Sequence, residues 1–149
     1  MKTILHTVDT GASPQSVFDA IAKIDGLASW WTATVQGEAA VGGVINFRFG
    51  TTFNPDMKIL EFKPPRRVAW TCIDGHDPWL DAMFQFEIEP RSPGSVLFFR
   101  QDYARELSDE EYGRYNFNWG YYLESLRRFV ETGRGWPYNT PAETIERPS

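Results

Sequence analysis

Cysteine is almost missing from this sequence. Cys72 stands alone, which excludes an internal disulfide and any cysteine-rich zinc site. Histidine is nearly as scarce: His6 and His76 are the two present, and no Ser-His-Asp pattern accompanies them. Positive charge is in deficit, with 15 Lys and Arg against 20 Asp and Glu and a net charge of −5. Such a chain lacks the positive field that nucleic-acid phosphates or anionic membrane surfaces require. No nucleic-acid partner and no membrane insertion are therefore expected. No apolar run nears the ~18 residues of a membrane span, and the opening MKTILHTVDTG does not read as a secretory signal. A cytoplasmic location follows as the expectation. Gly42-Gly43 lacks the Lys and the following helix of a phosphate loop, and no cofactor is expected.

What the chain does have is aromatic area. Six Trp, six Tyr and eleven Phe make up 15% of its 149 residues. That length fits one domain, able to bury roughly 68–70% of its extended surface without staples. The predicted organisation is a single domain over residues 1–133 and a C-terminal tail over 134–149, where Pro and Gly recur without periodicity.

Residues 3–10 alternate, with Ile4, His6 and Val8 on one side, which predicts a strand. Ser13 then caps a helix with Pro14 at its first position. Val17, Phe18, Ala20, Ile21 and Ile24 supply its apolar stripe. Asp25-Gly26 is read as a break, followed by a short second helix carrying Leu27, Trp30 and Trp31. Period two sets in from Thr32. Val44–Phe49, Met57–Lys63, Arg66–Ile73, Asp81–Glu89 and Ser95–Tyr103 are predicted strands, joined by short Gly, Pro, Asn and Asp turns into an antiparallel meander. Ser108 to Glu111 forms a capping box, with acidic residues at the positive end of the helix dipole and Arg127 and Arg128 near the negative end. The helix it opens runs about 25 residues, roughly 37 Å, and Gly133 stops it. A helix that long must cross the whole sheet. The predicted class is α+β: a helix-grip fold in which a curved antiparallel sheet of about six or seven strands wraps on a long C-terminal helix, with two short helices after the first strand.

Five stretches carry a resemblance: ASPQSVFDAIAKIDGLASWW, the Gly42-Gly43 turn before INFRF, ILEFKPPRRVAWT, FEIEP followed by GSVLFFRQ, and NWGYYLESLRRFVETGRGWPY. In this order and spacing they resemble the START-like (SRPBCC, birch-pollen-allergen-like) superfamily, within it the branch related to the activator of heat-shock-protein-90 ATPase. The resemblance implies a cavity between the long helix and the concave face of the sheet. Parity says what would line it: Phe47, Phe49, Trp70, Cys72, Phe84, Phe86, Phe99, Gln101 and Tyr103 from strands. Asn118, Trp119 and Tyr122 join them from the long helix, with Trp30 and Trp31 near the mouth. Such a lining is apolar with a few orienting polar groups, as small-molecule pockets usually are. Inward aromatics are equally the ordinary contents of a core, so a ligand cavity and a space filled by the rings themselves both stand open. Gln101 and Asn118 need partners in a dry core, and could satisfy one another.

Other clusters are less telling. Asp74, His76, Asp77 and Asp81 crowd one loop whose residue types also make a plain solvated turn, and no metal site is assigned. His6 reads as structural. Among carboxylates, Glu87 points outward by parity, whereas the side taken by Glu61 is open. Cys72 shares the Trp70 face and should be buried and inert. Catalytic residues are not assigned. The expected function is binding of a small hydrophobic or aromatic molecule. A cyclase- or hydrolase-like enzyme on a polyketide or aromatic substrate is one alternative, and a co-chaperone-like protein-interaction module is another. A homodimer is a further expectation, with the tail or an edge strand at the contact; the tail packing on its own long helix is the alternative.

Overall fold

A computed structural model describes residues 2–51 and 53–139. The chain runs β1 (Thr3–Thr10), α1 (Pro14–Ala22), α2 (Ile24–Leu27), β2 (Thr34–Gly37), β3 (Val44–Arg48), β4 (Asp56–Lys63) and β5 (Arg67–Asp74). A single 3-10 turn (Asp77–Trp79) leads to β6 (Met83–Arg91), β7 (Gly94–Asp102) and the long α3 (Asp109–Thr132). The seven strands form one antiparallel sheet in the order β1-β7-β6-β5-β4-β3-β2. The first strand in sequence therefore closes onto the last, and β1 and β2 are the edges. The fold is the expected α+β helix grip. Among the described residues no helix is long and apolar enough to cross a membrane.

Local chemistry accounts for the helix boundaries. The Ser13 side chain accepts from Ser16 N at the start of α1, where Pro14 needs no amide partner. Ser108 Oγ accepts from Glu111 N at 3.1 Å, and Glu111 Oε1 accepts in return from Ser108 N at 3.1 Å. Gly133 ends α3 at φ 85°, a left-handed conformation that glycine adopts freely. Just before that stop, Glu131 accepts from Thr10 Oγ1 at 2.8 Å and ties the helix end to the end of β1.

The second helix differs from expectation. It spans only Ile24–Leu27, so Asp25 and Gly26 lie within it and Trp30 and Trp31 follow it. A Cβ at Gly26 would sit 2.4 Å from Asp19 O and 2.8 Å from Ala20 Cα. Gly26 thus serves close approach of α2 to α1, which a reading of glycine as punctuation misses.

The open question about Glu61 is answered by a bulge. The register of β4 against β5 shifts between Ile59 and Glu61. Met57 and Ile59 face the core, whereas Glu61 turns to the convex face. There Arg67 Nε donates to Glu61 Oε1 at 2.9 Å and another guanidinium nitrogen of Arg67 donates to Gln85 Oε1 at 2.7 Å. The Arg67 bond is the main cause that holds the Glu61 carboxyl below the usual carboxylate range. Glu87 lies on the same outer face, as parity predicts.

The tail packs back on its own chain as far as it is described. Tyr138 N donates to Trp31 O at 2.9 Å, and Ala33 N donates to Tyr138 O at 2.7 Å. Trp136 stacks on Tyr121 at 5.6 Å under the Arg128 guanidinium. Residues 140–149 of the expected tail lie outside the described residues.

Replacing Ser108→Ala removes one half of the capping box and leaves an N-terminal amide of α3 without its partner. Stability is expected to fall by about 1 kcal/mol. For a chain of this size the melting temperature should drop roughly 2–4 °C, measured by the loss of the far-ultraviolet circular dichroism of the helices on heating.

Candidate functional site

The concave face of the sheet and the inner stripe of α3 meet over a body of aromatic rings. All of the expected lining residues are buried except Asn118, which is half-buried. Strand parity explains the placement: Phe47, Trp70, Phe84, Phe86, Phe99 and Gln101 alternate with outward residues, so their side chains leave one face of the sheet. Trp119 and Tyr122 come from α3, one helical turn apart.

Trp31 is the centre of this body. Its ring lies 4.5 Å from Phe47, 5.1 Å from Phe49, 5.8 Å from Trp70 and 5.1 Å from Trp119. Its plane is nearly parallel to those of Trp70, Trp79 and Trp119. These are offset-stack distances, each worth about 0.5–1.5 kcal/mol beyond the area buried. On the other side of Trp119, Phe99 approaches to 4.3 Å.

The polar groups inside this body are few. Trp119 Nε1 donates to Gln101 Oε1 at 2.8 Å. Gln101 therefore pairs with the indole one residue beyond Asn118, and the expected pairing of the two amides is not formed. The bond also fixes the orientation of Gln101, because an indole N–H requires the amide oxygen and turns the NH₂ group the other way. That Nε2 has no partner among the described residues, and neither do Trp70 Nε1, Trp79 Nε1 and Tyr103 Oη. Trp79 and Gln101 lie near enough to Tyr103 to lower its pKa somewhat, but neither contact reaches hydrogen-bond geometry. Burial dominates and pushes the Tyr103 phenol well above its ordinary value. Trp79 and Gln101 thus converge on the Tyr103 hydroxyl, and the three groups leave part of their hydrogen-bonding capacity unspent.

Four residues at the rim were not among those expected to line the site. Trp79 comes from the 3-10 turn and lies 6.0 Å from Trp119 and 5.1 Å from Phe84. Phe53 packs 4.5 Å from Phe49 and 4.8 Å from His76. Tyr115, one turn before Trp119 on α3, stacks on Tyr103 at 6.1 Å and lies 5.7 Å from Trp79. Its hydroxyl is 3.0 Å from His76 Nε2. The Tyr115 spacing on the α3 stripe was visible in the sequence. The inward turn of Trp79 and His76 from a polar loop had no local signal.

The remaining candidates take structural places. His6 Nε2 lies 3.0 Å from Asn116 Oδ1 and links β1 to α3. Burial pushes the Cys72 thiol up to about 11, and its Sγ donates to Asp74 O at 3.4 Å. Among the described residues no three His, Cys, Asp or Glu side chains are grouped to hold a metal ion. Surface clefts lie elsewhere. One of about 440 Å³ runs between α1, α2 and the end of α3, past Asp19, Lys23 and Phe129.

A sheet gripping one long helix over an aromatic interior defines a helix-grip protein of the α+β class. The chain belongs to the family described as "Activator of Hsp90 ATPase homolog 1-like protein", which matches residues 11–131. The Aha1 dimer from Colwellia psychrerythraea, solved in solution, is 29% identical. It is covered over 100% of its length by 91% of this chain, at a TM-score of 0.82. CalU16 from Micromonospora echinospora shares the fold at 18% identity and TM-score 0.66, with 88% of this chain covering 76% of it. DynU16, a protein in the dynemicin biosynthetic locus, shares it at 15% identity and TM-score 0.77; 91% of this chain spans 49% of DynU16. None of the curated proteins compared with the chain matches it.

His76 offers a test of how the rim is held. Burial lowers its pKa below the ordinary 6.5, more than Asp77 and Glu111 raise it. The unfolded chain therefore takes up a proton at higher pH than the native one. Native stability is expected to fall as pH drops below about 6.5, before the carboxylates titrate near about 4. Urea midpoints measured from about pH 7 to about pH 5 should show this decline, and His76→Gln should flatten it.

Proposed function

We propose that this protein binds a small hydrophobic or aromatic molecule between α3 and the concave face of the sheet. One observation carries the reading: the four unpartnered polar atoms of Trp70, Trp79, Gln101 and Tyr103, on residues at most 3% exposed. Leaving a buried donor or acceptor unmade costs about 1–3 kcal/mol each. A plain core has no reason to keep several of them in one region, whereas a binding site uses them on its ligand. The rings stand at stacking distance, so a flat ligand gains its place by displacing one of them. Tyr115 is the half-buried ring that stacks on Tyr103.

The enzyme alternative needs an ionisable group facing the rings. Glu61 and Glu87 lie on the convex face beside Arg67, so no carboxylate of theirs serves that role, and His76 against Phe53 and Trp79 is the ionisable group that reading would have to use.

Saturable quenching of tryptophan emission by a naphthalene-based hydrophobic probe is expected, with bound small molecules in native mass spectra of freshly purified protein. Phe84→Ala and Trp119→Ala should alter probe affinity. Probe binding that fails to saturate, with ligand-free spectra, sinks the reading.

We also propose that the protein forms a homodimer, as the Colwellia psychrerythraea neighbour does. Trp136 and Tyr138 are engaged within their own chain, which leaves the contact to an edge strand, β1, where Leu5 is 64% exposed. Light scattering should give twice the chain mass, reduced by Leu5→Lys. A single-chain mass at every concentration refutes this.

A further inference from the structure

The directions of the unpartnered groups say more than that something is bound. Trp79 Nε1 and Gln101 Nε2 are pure donors, the latter because Trp119 has claimed the amide oxygen. Tyr103 Oη adds an O–H that is free to donate. The Tyr103 oxygen, the acceptor that Trp79 and Gln101 approach, is one against three donor groups, so the cluster still holds a surplus of donors. Among the described residues the buried polar side chains are Thr32, Ser95, Gln101 and Ser125, apart from Trp and Tyr, and no charged side chain is buried. A buried carboxylate or ammonium on a ligand would meet no countercharge here, and desolvation without a partner is costly.

We infer that the ligand of this site is a neutral, flat molecule carrying one hydrogen-bond-accepting oxygen, a ketone, quinone or ester carbonyl, held by Tyr103 Oη, Gln101 Nε2 and Trp79 Nε1. The inference rests on the proposed binding function and names its ligand class. The carbonyl oxygen has two lone pairs, enough to take donors from two sides, while the apolar remainder stacks on the rings of Trp79 and Trp119. The Tyr103 phenol stays protonated because burial raises its pKa, so it remains a donor over the whole physiological range. Tyr115 covers Tyr103 on the solvent side, with its hydroxyl 3.0 Å from His76 Nε2.

Three probes of one shape separate the possibilities: acetylnaphthalene, ethylnaphthalene and naphthoate, titrated into the full chain by calorimetry and tryptophan quenching. Acetylnaphthalene is expected to bind roughly tenfold more tightly than ethylnaphthalene, the size expected when orphaned donors gain an acceptor. Naphthoate should bind most weakly. Tyr103→Phe deletes a hydroxyl that makes no hydrogen bond of regular geometry in the fold, so the variant should stay folded. It should lose most of the preference for the ketone while leaving ethylnaphthalene affinity unchanged. Trp79→Phe gives the same comparison at a second donor. The bound ketone's carbonyl stretch should shift to lower frequency than in hexane, and shift less in Tyr103→Phe. Equal affinity for the acetyl and ethyl probes, or tighter binding of naphthoate, overturns the ligand class and leaves the binding function standing. If none of the three binds saturably, the binding function falls and the inference falls with it.

Discussion

The hydrogen bond from Trp119 Nε1 to Gln101 Oε1 joins the two halves of the grip. It spans from the middle of α3 to the inner face of β7, where no water competes. A neutral hydrogen bond adds only about 0.5–1.5 kcal/mol net, so its weight lies in what it positions. It goes with one rotation of the helix about its axis, because the indole must point at one amide. That rotation puts Trp119 parallel to Trp31 and Trp79 and against Phe99. It also turns the Gln101 NH₂ toward Tyr103, which creates the donor surplus. One contact thus fixes both the packing of the apolar wall and the polarity of its one polar region.

Around it, the fold meets the demands of a long helix on a curved sheet. Trp31, just beyond the short α2, fills the space under α3 that strand side chains alone do not reach. Ser125 serves the same end at the far side, donating to Trp30 O at 2.9 Å and accepting from Trp136 N at 2.6 Å. The helical segment, the long helix and the first part of the tail are therefore held by one hydroxyl. With Glu131 bound to Thr10 and Tyr112 Oη donating to Thr3 O at 2.9 Å, α3 is fastened to the sheet near both ends. The middle is left to the rings.

Most of the frame was legible because its signals are local. Alternation placed Phe84, Phe86 and Ile88 on one face, and the Ser108–Glu111 box and Gly133 marked the ends of α3 to within a residue. The sequence was silent where a residue's role depends on a distant partner. Gly26 looks like a helix break until Asp19 and Ala20 are seen against it. The side of Glu61 depends on a bulge that only pairing with β5 produces. Asn118 and Gln101 share polarity and an expected location, yet the indole next to Asn118 takes the bond, since helix rotation is set by all the contacts at once. Trp79 and His76 belong to a polar turn by composition, and only the aromatic surface below them draws them inward.

The unpartnered donors are the place where this molecule departs from the consistency that otherwise marks it. Capping, strand parity, outer-face ion pairing and core burial all agree with one another, as expected of a sequence that specifies one structure. Against that background, buried N–H and O–H groups left unpaired are costly exceptions, sustained by the large apolar area of five buried tryptophans and their neighbours. Replacing Tyr103 by Phe is a simple route to a drier interior. The proposed ligand is what would satisfy the groups that the fold itself leaves unpaired.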